Sequence, residues 1–179
     1  MSKEISFIQK LLDSFEKVAV EKVVSKGDFL IREGEIEKNL YFIKSGAVRL
    51  FYLSEYEEHT IRLGYDGSLI NSLSSFVTAR PSEFYIQALR KTTVQAISKV
   101  RLNEIVYENE ESQRKYIALL ENLVAQQIDR EIDLLVTSPT ERLQRVLERS
   151  PYLFQHIPFK YIASYLRMKP ETLSRIRNS

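Results

Sequence analysis

The sequence predicts an α+β fold in three parts: an antiparallel, jelly-roll-like β-roll, one long helix, and a C-terminal helix-turn-helix. Three observations point there. Between Ala19 and Lys99 the chain runs through short segments rich in Val, Ile, Phe and Tyr, and all five glycines (Gly27, Gly34, Gly46, Gly64, Gly67) fall among them. From Glu110 to Thr137 there is neither glycine nor proline. From Ile157 to Ser179 two short helical patterns flank a tight break.

In chain order, Ser6 to Val20 reads as an amphipathic helix with Phe7, Leu11, Leu12 and Phe15 on one side, packed on the next domain. Seven strand-like segments follow: VAVEKVV, DFLIRE, NLYFIKSG, AVRLFYLSE, HTIRLG, EFYIQALR and TVQAIS. Turn signals at Lys26-Gly27-Asp28, Glu33-Gly34-Glu35, Gly46 and Asp66-Gly67 separate most of them. Short strands at that spacing make a small antiparallel barrel or roll with tight corners.

The long helix carries Ile117, Leu120, Val124, Ile128, Ile132 and Leu135 every three or four residues. It would be about 40 Å long at 1.5 Å per residue. An apolar stripe that outruns its own domain predicts a partner helix, with Ile117, Leu120, Val124 and Ile128 at a dimer interface. Ser138-Pro139-Thr140-Glu141 then forms a capping box and opens a helix from Pro139 to Arg149 that buries Leu143, Val146 and Leu147. Ser150-Pro151 ends it, and Tyr152 to Ile157 reads as an extended connection. A helix from Pro158 to Leu166 places Ile162, Ala163 and Leu166 on one face. After the break Arg167-Met168-Lys169, Pro170 starts the last helix. Leu173 and Ile176 point one way there, and Glu171, Ser174, Arg175 and Asn178 the other. These parts are expected to divide the chain at 1–109, 110–137 and 138–179.

Composition excludes several classes. The chain is 44% hydrophobic and 28% charged, as in ordinary globular domains, and its apolar runs are too short to span a membrane. The N-terminus lacks a signal peptide's apolar core, so a cytoplasmic protein is expected. Without cysteine there is no disulfide, thiolate metal site or cysteine-ligated cluster. The two histidines, His59 and His156, stand far apart in no metal-ligand pattern, and no catalytic triad, phosphate loop or acid pair is present. No enzyme activity, metal or cofactor is therefore expected. Charge is asymmetric: from Thr140 onward eight basic residues face three acidic ones, a net +5, against 18 and 21, a net −3, before it. A basic head on an acidic body suits contact with nucleic acid. The face of Glu171, Ser174 and Arg175 could read base edges in a major groove, although the same pattern also suits a solvated helix face.

The segment IASYL-x-M-x-PETLSRIR resembles the C-terminal helix-turn-helix of the Crp/Fnr superfamily of bacterial transcription regulators. KGDFLIREGE, LYFIKSGAVRLF and, more loosely, GSLINSLSSF resemble the same superfamily's cyclic-nucleotide-binding β-roll. The resemblance implies double-stranded DNA as a partner, with Glu171, Ser174 and Arg175 reading bases and Lys160, Lys169 and Arg177 on phosphates. It implies a homodimer through the long helix, a small-molecule effector in the roll, and RNA polymerase as a further candidate partner. A β-roll module acting on a partner protein without DNA is the alternative. Two departures stand out. Many relatives have glycine where Arg167 stands; arginine is strained in a left-handed turn, so a turn tightened in another way is expected. Lys169 replaces the usual Ser, Thr or Asp cap.

Relatives that bind cyclic AMP present a Glu to the ribose and an Arg to the cyclic phosphate. Those positions fall at Ser72 and Ser82, with Glu83 beside them and Arg80 two residues away. The ribose acceptor and the phosphate cation are both missing, so Ser72, Arg80 and Ser82 would line a pocket for another ligand or none.

Overall fold

The computed structural model describes residues 19–178, so the expected N-terminal helix lies outside the described residues over nearly all its length. Eight strands pair antiparallel in two four-stranded sheets. One sheet has the order β1 (Val20–Val24), β8 (Thr92–Ser98), β3 (Asn39–Ser45), β6 (Leu69–Ile70). The other has β2 (Phe29–Ile31), β7 (Phe84–Ala88), β4 (Ala47–Ser54), β5 (Glu57–Tyr65). The short β6 is the strand the pattern missed, since two residues hold no alternation to read. Tyr41, Ile43, Val48, Leu50, Ile86, Ala88, Val94 and Ala96 alternate inward from the two sheets and fill the space between them. At the β3–β4 corner Gly46 has φ +115, and a Cβ there would run into Thr92. Only glycine fits such an approach.

The helices among the described residues are α1 (Leu73–Thr78), α2 (Lys99–Val106), α3 (Glu110–Leu135), α4 (Pro139–Arg149), α5 (Leu153–His156), α6 (Phe159–Tyr165) and α7 (Pro170–Arg177). Phe76, Leu102, Val106 and Leu119 pack with Leu40 and Ile97 on the outer side of the first sheet. The Lys99 ammonium donates to the Phe76 and Val77 carbonyls, a cation at the C-terminal end of α1. α3 begins at an Asn109 cap, whose side chain accepts from Ser112 N–H, and rises about 39 Å over its 26 residues. It carries two apolar lines. Leu119, Tyr116 and Leu123 lie against the roll. Ile117, Val124 and Ile128 are 53%, 60% and 52% exposed, and with Leu120 they line an open apolar groove.

Two local expectations are corrected. Tyr152 to Ile157 is not extended: Leu153–His156 form a helical turn that buries Leu153 in the head. The turn after α6 is the left-handed one after all, with Arg167 at φ +53.

Candidate nucleic-acid interface

The head is built from α4 to α7 around Leu143, Val146, Leu153, Ile157, Ile162, Ala163, Leu166 and Leu173. Ser138 Oγ accepts from the Glu141 N–H at the start of α4, as the capping pattern requires. The turn between α6 and α7 closes by Met168 N–H to Ala163 O and Arg167 N–H to Ser164 O. Arg142, from α4, donates to the carbonyls of Leu166 and Arg167 and to Val136 O, so one guanidinium satisfies the turn and the end of α3 together. α7 starts at Pro170 with no side-chain cap from Lys169.

On α7, Leu173 is buried against the head core, which fixes the rotation of the helix. Glu171, Ser174, Arg175 and Asn178 are exposed on its other side. Glu171 lies in the first turn, where the helix dipole favours a carboxylate. Lys160, Lys169 and Arg177 are exposed as well. Lys160 Nζ lies 4.7 Å from the Tyr161 ring centre, and the Arg177 guanidinium 4.9 Å from that of Phe154. Aromatic rings thus hold two of the three cations at the surface. In chemical terms the face offers a bidentate donor, a hydroxyl, an amide and one carboxylate within two turns of helix, with point charges beside it.

The head also lies on its own roll, which the sequence did not announce. Ser164 Oγ accepts from Thr60 N–H at 3.1 Å. Arg167 Nη1 donates to His59 Nδ1 at 2.7 Å. Nδ1 then has no proton of its own, so Nε2–H donates to Ser54 Oγ at 2.8 Å. His156 stacks on Tyr65 at 4.6 Å and takes a bond from Arg90 at 3.0 Å. Arg49 lies between the Phe51 and Tyr161 rings and pairs with Glu58 at 2.6 Å. This docking explains why Ala47 to Phe51 is buried on both faces of its strand. Both histidines are thereby occupied in the head–roll contact.

Asp133 on α3, with no exposed surface, pairs with Arg145 at 2.9 Å and with Arg149, both on α4. Asp133 sits one residue past Ile132 in a helix scanned for apolar spacing, so the pattern passed over it. The signal available was an acid surrounded by apolar neighbours at 132, 134 and 135.

In the roll, Ser72 and Ser82 are buried, and their hydroxyls meet at 2.8 Å. Ser82 Oγ also accepts from Phe84 N–H. Arg80 is exposed. Sequence reasoning missed Glu37, which is buried beside α1: its backbone N–H donates to Ser75 Oγ, and its carboxylate accepts from Asn39 N–H and Tyr41 OH. Burial pushes its carboxyl above the usual range, while the bond from Asn39 pulls it down. The same burial raises the Tyr41 phenol, helped by the Glu37 charge. Cyclic AMP is accordingly expected not to bind at micromolar concentration, because the two serines satisfy each other and supply no charge for ribose or phosphate. Calorimetry giving a micromolar dissociation constant would overturn that expectation.

Comparison with known proteins gives three further findings. The family described as "Cyclic nucleotide-binding domain" matches residues 21–109. The transcriptional activator protein Anr of Pseudomonas protegens is 27% identical over 166 residues, covering 86% of this chain and 67% of that protein. Among solved structures, FixK2 from Bradyrhizobium japonicum superposes with TM-score 0.76 at 22% identity, over 90% of this chain and 83% of that one. A CooA variant from Carboxydothermus hydrogenoformans gives 0.71 at 20%, over 94% and 82%. No helix among the described residues is long and apolar enough to cross a membrane.

Proposed function

We infer that this chain, which belongs to the Crp/Fnr superfamily and is a DNA-binding transcription regulator, reads its operator through Glu171, Ser174 and Arg175 on α7. The observation that carries the reading is the orientation of α7. Leu173 anchors one side in the head core, and the base-reading set is exposed on the other. Lys160, Lys169 and Arg177 hold phosphates and set the salt dependence. The protein acts as a homodimer through the exposed line Ile117, Leu120, Val124, Ile128, so two heads address two half-sites. It works in the cytoplasm, on duplex DNA, with RNA polymerase as the downstream partner. The roll serves as the sensing domain, without the charge pair that cyclic AMP requires. Because the head rests on β5 as well as on α3, any change in the roll or the helix shifts head placement.

Selection of bound sequences from a random duplex library tests the reading, and a two-fold symmetric site is the expected result. Arg175→Ala should then cost about 1–3 kcal/mol on the selected sequence and relax the choice at one base. Lys160→Ala should weaken selected and scrambled duplexes alike and lower the salt slope by about one. If Arg175→Ala weakens both duplexes equally, Arg175 is a phosphate contact and the base-reading assignment fails.

A further inference from the structure

The chain has two histidines, and both sit in the contact between head and roll. Each takes the same kind of bond. Arg167 Nη1, from the turn before α7, donates to His59 Nδ1 on β5 at 2.7 Å. Arg90 Nη2, from the β7–β8 turn, donates to His156 Nδ1 on α5 at 3.0 Å. One arginine reaches from head to roll, the other from roll to head. A guanidinium can only donate, so each Nδ1 is the bare nitrogen of a neutral ring.

A proton on either ring undoes its bond. Imidazolium carries N–H at both nitrogens, so Nδ1–H would meet an arginine N–H at hydrogen-bond distance and two cations would face each other. The groups around the rings do not offset this. At His59, Ser54 Oγ on β4 accepts from Nε2–H in either form. Glu57 lies 3.9 Å from Nε2, but its side chain is 79% exposed and water screens it. Glu58 is paired with Arg49, and α6 brings a hydroxyl, Ser164 Oγ, to Thr60 N–H. At His156, the Tyr65 ring stacks at 4.6 Å and suits a neutral or a charged imidazole. Asp66 accepts from Gly46 N–H, and Gly46 O takes a second bond from Arg90. Among the described residues neither Arg90 nor Arg167 is paired with a carboxylate, so each guanidinium charge faces its imidazole in full.

We propose that the two arginine–imidazole contacts, Arg167 to His59 and Arg90 to His156, form a proton-sensitive latch that holds the head on the roll at neutral and alkaline pH and opens in acid. The contact is whole where both rings are neutral and is lost as pH falls. Imidazole is the side chain whose ordinary value, about 6.5, lies between pH 5 and 8. Each proton that docking excludes lowers the docking equilibrium by up to about tenfold per pH unit, so two lower it by up to about 100-fold. The consequence for operator binding rests on the DNA-binding reading; the latch itself does not, and its readouts use no DNA.

The full chain contains no tryptophan, so Tyr161→Trp gives it one indole, on α6 against Arg49 of β4. Taking the pH from 8 to 5 should shift its emission to longer wavelength as the ring leaves the roll for water, with the far-ultraviolet spectrum unchanged. In the unsubstituted chain, exchange of the Thr60 N–H, bonded across the contact to Ser164 Oγ, should quicken over the same range relative to the Ala88 N–H, bonded within the roll to Asp28 O. His59→Asn with His156→Asn keeps an amide oxygen where each Nδ1 stood and takes no proton, so this pair should stay docked at pH 5 by both readouts. Glu37, whose carboxyl burial raises, is unchanged in that pair, so a response due to it would persist. The latch is overturned by readouts that stay level from pH 8 to 5 in the chain with both histidines, or by an asparagine pair that releases as that chain does. If the asparagine pair is already released at pH 8, Arg90→Gln with Arg167→Gln, which keeps neutral donors, decides: docking kept at pH 5 supports the latch, and release there overturns it.

Discussion

Replacing Val124 and Ile128 with glutamate is expected to leave monomers in solution, with affinity for a two-half-site duplex lowered roughly 10²- to 10⁴-fold. That range is the gain from linking two binding units so that the second contact becomes intramolecular. The roll-facing line of α3, Tyr116, Leu119 and Leu123, is already covered by Leu102 and Val106. The opposite line, Ile117, Leu120, Val124 and Ile128, has none of the described residues over it, and Glu121 is the charged residue in the groove. Further along the same face Ile132 and Leu135 are 42% and 80% exposed. A helix of this length with so much apolar side chain in water is costly, at about 25 cal/mol for each Å² left uncovered. A second copy of α3, crossing with its own stripe, covers both by symmetry. Two glutamates at the centre put four carboxylates in that seam, so desolvation and repulsion act together. The roll-facing line is untouched, so the variant should stay folded with an unchanged far-ultraviolet spectrum. Light scattering gives the mass directly, and a wild-type mass in the double variant would move the interface elsewhere.

The three-part architecture was legible because each part has its own periodicity. β-segments with glycine corners, an unbroken helical stripe and a capped helical head are local patterns, and backbone propensity and burial agree on them. The start of α4 could be read to the residue because Ser138, Pro139 and Glu141 form a self-contained cap. What escaped was whatever depends on distant parts meeting. Arg167 was expected to avoid a positive φ, yet adopts it while its side chain bonds to His59. A contact 108 residues away in sequence, together with Arg142 bridging the turn carbonyls, holds that conformation against its local cost. Likewise Leu153–His156 is helical because its Leu153 has a head core to enter, not because LFQH favours a helix. That Glu171, Ser174 and Arg175 share one exposed face of α7 was visible from spacing alone. The docking of the head on β4 and β5 was not, although Ala47 and Phe51, apolar on the strand face opposite Val48 and Leu50, were its trace.

Asp133→Ala is expected to destabilise the docking of the head by about 3 kcal/mol and to weaken operator binding with it. Asp133 lies two residues before the end of α3, and α4 begins only four residues after that end. So short a link leaves many head orientations open unless side chains select one. Asp133 does this by accepting from two guanidiniums one turn apart on α4: Arg145 Nε at 2.9 Å on one oxygen, and Arg149 on the other. The fork geometry fixes angle as well as distance. The carboxylate is wholly buried, while Arg145 and Arg149 keep 32% and 33% of their side chains exposed. Removing the acid therefore does not strand two buried charges, because both arginines can turn to water. This puts the cost at the low end of the range for a broken buried pair. Arg130, whose buried Nη1 has no hydrogen-bond partner, loses the attraction of the Asp133 charge at the same time. Asp133→Asn separates shape from charge: it keeps the volume and one acceptor but loses the second charge-assisted bond, and should fall between the native chain and Asp133→Ala. Urea unfolding followed by a probe in the head, alongside one in the roll, reads the effect where it arises. The head transition should move to lower urea while the roll transition stays within error. If both variants unfold with the native midpoint by the head probe, the Asp133 pairs do not hold the head, and its placement rests on the β5 contact alone.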